Sequence, residues 1–223
     1  MKKFKVIYEK RKIIIFTIVT IVFALVSLYY IYEVKGHSEG PIRSDGWGYY
    51  SYLPAIFDYH NMNFQFSDNS PSSGSGIWTD EYGHTIQKYP IGTAILEFPF
   101  FMMADIYTRI HHPEYTNGFS KPYQMGVAFS ALFYFAIGLF TLGCLLSRYF
   151  TERVVLWTLI LITYATNLFH YATFDASFSH VFSFFLITLF VYLVVIIEDD
   201  KDSKILNFVL GLCGGGYNSN QEP

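Results

Sequence analysis

An aspartate stands just after the first long apolar run of this chain, within "IRSDGWGYYSYLPAIFDYH" at residues 42–60. Asp45 lies beside Gly46 and Gly48, whose bare backbone lets a bulky substrate come close, and a carboxylate so placed can act as a general base. A plain structural role competes with that one, because the helix dipole favours an acid in a first turn by roughly 0.3–1 kcal/mol. Further along, "HYATFDASFSH" brings His170, Asp175 and His180 to the ends of two apolar runs. Three potential ligands without a cysteine or a helical i, i+4 pair make a poor zinc pattern. They read more simply as helix-end residues, with a polar substrate contact by His180 as the alternative. Asp58 is a weaker acid candidate, about four turns from Asp45 along an unbroken helix. Asp80 and Glu81 read as a solvated hairpin turn, and "DKD" at 200–202 as a solvated charge run without the Gly-rich strand-to-helix signal of a nucleotide site.

Composition says what must position these residues. The chain has 223 residues, 52% hydrophobic and 20% aromatic with 15% charged, which is too apolar for an ordinary soluble domain of this length. The net charge is −3, and the basic residues concentrate at the N-terminus rather than over a face, so no nucleic-acid surface is expected. Cys144 and Cys213 both lie in apolar runs and imply no disulfide framework.

The expected fold is an all-α integral membrane protein, a multi-pass helical bundle with a large first extracytoplasmic loop containing juxtamembrane helices. Residues 13–34 exceed the 7–15-residue apolar core of a signal peptide and match the roughly 20 residues that cross a bilayer. Lys2, Lys3, Lys5, Lys10, Arg11 and Lys12 precede that run against the single acid Glu9, so residues 1–12 are expected in the cytoplasm. The loop of residues 35–121 then lies outside. Residues 122–213 carry transmembrane helices two to four, near 122–146, 154–171 and 179–197, and the start of a fifth at Ile205. Residues 91–108 are nearly long enough to cross, yet carry Glu97, Pro99 and Asp105 and are read as a surface helix, which keeps Arg148, Arg153, Lys201 and Lys204 on the side of the N-terminus.

Within the loop, Ser44 is expected to cap a helix whose apolar-aromatic face is Tyr49, Tyr52, Leu53 and Ile56, kinked or shortened by Pro54. Residues 66–76 are polar and Gly/Ser-rich, and residues 77–89 alternate about a Tyr-Gly turn as a hairpin does. The apolar run that begins at 205 breaks into the polar tail of residues 214–223 after about half the length a crossing needs. A truncated, weakly active or inactive product is the expectation that follows.

"SDGWGYYSYLP" after a first membrane helix, followed in the same loop by "KYPIGTAILEFPFF", resembles the membrane-embedded GT-C glycosyltransferases, in particular the bacterial branch similar to aminoarabinose and protein O-mannosyl transferases. The resemblance implies transfer of a sugar from a polyprenyl-phosphate donor to a hydroxyl acceptor at the outer face of the plasma (inner) membrane, with no required cofactor. It also implies that Asp45 takes the acceptor proton and that Lys88, with Tyr89, meets the donor phosphate. Tyr89 stands where such enzymes carry a proline. Trp47 and Tyr49 are possible substrate contacts, since aromatic rings suit sugar stacking as well as a membrane interface. Read without the motif, Lys88 is an interfacial lysine reaching for headgroups. Other readings of the chain are a transporter or flippase of lipid-linked glycans and a non-catalytic membrane scaffold.

Overall fold

A computed structural model describes residues 2–34, 40–64 and 76–199. The fifth apolar run, the 200–202 charge run, Cys213, the polar tail and nearly all of the Gly/Ser-rich stretch lie outside the described residues. Among the described residues, three helices are long and apolar enough to cross a membrane: Arg11–Glu33, Lys121–Leu146 and Ser179–Ile196. They belong to α1 (Lys2–Tyr29, continued by a π turn at Tyr30–Val34), α5 (Lys121–Leu146) and α8 (Ser179–Asp199).

Small residues set how these helices meet. Ala24 and Leu28 pack with Ala128 and Leu132 in one cluster, and Glu33 pairs with Lys121 at 2.5 Å, so α1 and α5 run antiparallel. A methyl group added at Gly143 would sit 2.7 Å from Ile13 Cγ2, and one at Gly138 would sit 2.6 Å from Phe184 Cε1, so both glycines permit the close approach of neighbouring helices.

The run expected as one span near 154–171 is instead two helices, α6 (Glu152–Tyr164) and α7 (Leu168–Thr173). Thr166 explains the break. Its Oγ1 donates to Ile162 O at 2.5 Å and accepts from the Leu168 N–H at 3.2 Å, so a side chain replaces backbone partners where the ladder would continue. The pair nevertheless follows α1 along its length. Glu152 pairs with Lys12, Tyr164 Oη donates to Thr20 Oγ1 at 3.2 Å, Phe169 stacks on Phe23 at 5.4 Å, and Tyr32 Oη donates to Phe174 O at 3.0 Å.

Of residues 91–108, all but the capping Ile91 fall in α4 (Gly92–His111), 20 residues long but not among the three long apolar helices. Its sides are inverted relative to a water-soluble helix. Ile95, Met103, Ile106 and Ile110 are exposed, while Thr93, Glu97, Asp105 and Thr108 are buried. Apolar side chains facing outward and polar ones facing the bundle is the distribution that hydrocarbon selects. The α4 helix packs on the first half of α5, with Phe100 O only 3.1 Å from where a Cβ on Gly126 would lie.

The loop before α4 holds α2 (Ser44–Tyr50), α3 (Tyr52–Phe57) and a hairpin of β1 (Ile77–Thr79) with β2 (Thr85–Gln87). The hairpin pairs Trp78 with Ile86 and turns through Asp80–His84, where Asp80 accepts the Tyr82 and His84 N–H groups at 2.9 and 2.8 Å. Two expectations change. Arg43, in extended conformation, occupies the cap position without a side-chain cap, and Ser44 opens α2 in a left-handed conformation at φ +46°. The inward face of α2 and α3 is Trp47, Tyr50 and Leu53, because these residues meet α4 and the start of α5, while Ile56 is exposed.

Candidate functional site

Tyr89 is the centre of the site. It is 5% exposed, and its hydroxyl donates to Asp45 Oδ1 at 2.5 Å. Its carbonyl accepts Tyr52 Oη at 2.6 Å, its ring lies 4.5 Å from that of Tyr49, and the Lys88 ammonium sits 5.2 Å from its ring centroid. An acid from the first turn of α2 and a lysine from the segment after β2, far apart in sequence, are thus brought to one aromatic side chain. Burial, and then the bond to Asp45, push the Tyr89 phenol far above its ordinary range, so it stays a neutral donor. Among the described residues, that bond is the one hydrogen bond to the Asp45 carboxylate, which leaves Oδ2 for an incoming hydroxyl.

Local chemistry holds the two segments together. Gln87 Nε2 donates to Gly48 O at 3.0 Å and to Ser51 Oγ at 3.2 Å, tying β2 to α2. The Lys88 N–H donates to Gly76 O at 2.8 Å, and Gly76 at φ +67° lies where a Cβ would come 2.5 Å from Tyr89 Cε2. Only glycine fits that backbone conformation against the ring.

Arg43 anchors the other side of the Asp45 segment. Its guanidinium bonds Asp175 Oδ1 through Nε at 3.1 Å and Nη2 at 2.7 Å and lies 3.6 Å over the Phe174 ring. Asp175 Oδ2 in turn meets His170 Nε2 at 2.8 Å. Ser177 Oγ donates to Pro41 O at 2.7 Å. The turn between α7 and α8 therefore fixes the residues immediately before Asp45, and Ser44, at its left-handed φ, is held between the two.

The remaining sequence candidates separate from this centre. Trp47 is 5% exposed and stacks on Phe119 at 5.9 Å, so its faces serve packing and are closed to a sugar. Tyr49 is half-buried against Tyr89 and stays at the site. His180 is exposed and stacks on Tyr171 at 3.9 Å. His170 and Asp175 meet while His180 stays apart on Tyr171, and among the described residues no group of three or more His, Cys, Asp and Glu side chains could hold a metal.

Asp58 does not bend back to Asp45. It pairs through Oδ1 with Arg109 Nη2 at 2.8 Å, while Arg109 Nε bonds Asp105 Oδ2 at 2.7 Å and Asp105 Oδ1 accepts Tyr123 Oη at 2.7 Å. Burial, and then the neighbouring Asp105 charge, push Asp58 up to about 6. Tyr50, packed behind this group, donates to Gly118 O at 2.5 Å, and its phenol is raised by burial and then by Glu97.

Residue type and position pointed to Asp45, while Lys88 stood out only through the family resemblance. The Gln87 latch and the Arg43–Asp175 anchor went unread, since pairings across 39 and 132 residues leave no local signal. No protein-family model matches the chain, and no curated protein or solved structure matches it.

Proposed function

We propose that this chain belongs to a multi-pass, membrane-embedded glycosyltransferase that moves a sugar from a polyprenyl-phosphate donor to a hydroxyl acceptor at the outer face of the plasma membrane. The observation that carries this reading is the meeting of Asp45 and Lys88 at Tyr89. Glycosyl transfer develops positive charge on the sugar ring and negative charge on the departing phosphate, so it gains from a base at the acceptor and a cation at the leaving group. Asp45 Oδ2 receives the acceptor proton. Lys88, exposed beside the ring, holds the phosphate. Tyr89, a neutral donor, keeps the carboxylate in place.

Binding and chemistry divide between the two residues, which makes the reading testable on this chain. In nanodiscs containing polyprenyl phosphate, Lys88→Met weakens binding at least tenfold, about 1.4 kcal/mol, whereas Asp45→Asn stays within threefold of the parent. Wherever transfer is measurable, Asp45→Asn lowers its rate by roughly 10²–10⁴. Unchanged polyprenyl-phosphate binding in Lys88→Met contradicts the assignment of the phosphate site.

A further inference from the structure

Two apolar grooves flank the first turns of α5 and share one wall. The first, about 860 Å³, lies between α5 and α4 and is lined by Phe100, Met103 and Tyr107. The second, about 560 Å³, lies between α5 and the end of α1 and is lined by Leu25, Leu28 and Ala128. Lys121, Met125 and Phe129 belong to both. These three stand at i, i+4 and i+8 and form an exposed ridge down one side of α5. Neither groove includes Asp45, Lys88 or Tyr89.

At the top of the ridge is a pair of opposite charges. Lys121, the first residue of α5, holds Glu33 from the end of α1 at 2.5 Å, and both side chains remain open to an approaching headgroup, at 69% and 45% exposure. The positive end of the α5 dipole lies beside Lys121 and adds to its pull on an anion, while Glu33 offers a cation acceptor within the same few ångströms.

We propose that a single phosphatidylethanolamine straddles this ridge, one acyl chain in each groove, its phosphate on Lys121 and its primary ammonium on Glu33. Charge complementarity selects the headgroup. An anionic lipid would satisfy Lys121 but face the Glu33 carboxylate, whereas a phosphate–ammonium headgroup completes an alternating set of four charges. A carboxylate also gains hydrogen bonds from an N–H cation that a quaternary ammonium cannot supply. The forked apolar surface selects two tails over one. This site stands apart from the proposed transfer site and does not depend on that reading.

The test is lipid retention by the purified full chain. After equal loading with phosphatidylethanolamine, phosphatidylglycerol and phosphatidylcholine, native mass spectrometry should find one phosphatidylethanolamine held at least fivefold above either competitor. Glu33→Gln removes the preference, and Glu33→Lys turns it toward phosphatidylglycerol, with helicity by circular dichroism unchanged in both. Asp45→Asn and Lys88→Met leave retention as it was, so failure of the transferase reading does not touch this one. Equal retention of the three lipids, or preference unaltered in both Glu33 variants, overturns the proposal. Displacement of the phosphatidylethanolamine by one equivalent of polyprenyl phosphate also overturns it, by assigning the grooves to an isoprenoid chain.

Discussion

Among the described residues, Asp58 carries a clear pH signature. Its second oxygen is buried without a hydrogen-bond partner among the described residues, and its carboxyl titrates near 6 when folded against 3.8 as its ordinary value. A group that binds its proton more tightly in the folded state stabilises the fold most at low pH, and that contribution is lost as pH rises from about 3.8 to about 6. The apparent Tm in detergent therefore falls across that interval and levels off above it. Asp58→Asn flattens this part of the profile, and an unchanged slope would place the titrating group elsewhere. Glu97 tells the same story without an ion pair. It is 1% exposed, and neither carboxyl oxygen has a hydrogen-bond partner among the described residues. Orphaned buried polar groups cost about 1–3 kcal/mol, so Glu97→Met, which keeps much of the volume, raises thermal stability in detergent by an amount of that order, and an unchanged or lower Tm would contradict this. Neither arrangement is legible from residue spacing, because the partner of Asp58 lies 51 residues away and the isolation of Glu97 is a property of the packed interior.

At the scale of elements, the contact between α2 and the turn before α8 decides where Asp45 points. A methyl group on Gly46 would overlap Ser177 Oγ and lie 2.6 Å from Ser177 Cβ. Gly46→Ala should therefore destabilise the protein by about 1–3 kcal/mol, and Ser177→Gly in the same background should recover part of the loss. Thermal unfolding of the two variants checks this, and a Gly46→Ala protein as stable as the parent would show that the contact is loose. The elements themselves were unevenly readable. Long apolar runs announced α1, α5 and α8, because the hydrocarbon thickness imposes a length that composition reveals directly. The alternation on either side of Tyr82 and Gly83 announced the hairpin. The interruption between α6 and α7 was hidden inside an apolar run, since hydropathy does not register a threonine whose hydroxyl competes for backbone partners. The inward face of α2 and α3 was misread because Tyr49 and Tyr52 turn toward Tyr89, a partner that no local period encodes.

At the scale of the whole molecule, one end of the helix set gathers the chemistry. The end of α1, the start of α5 and the start of α8 lie together there, the Glu33–Lys121 pair joins two of these ends, and the Arg43–Asp175 pair and the Asp45–Tyr89 bond sit on the segments between them. Exposed apolar residues on the outside of α4 continue the apolar surface up to this end. Asp45 would then stand at the lip of the bilayer, where a hydroxyl acceptor arrives from water and a sugar phosphate arrives from lipid. The most direct test combines side and site in one measurement, using Asp45→Cys in a chain whose Cys144 and Cys213 are replaced by serine. Whole cells are treated with a membrane-impermeant maleimide, with and without added polyprenyl-phosphate sugar. The expected result is labelling from outside that the donor slows several-fold. Labelling only after the cells are opened, or a rate that the donor leaves unchanged, would contradict it.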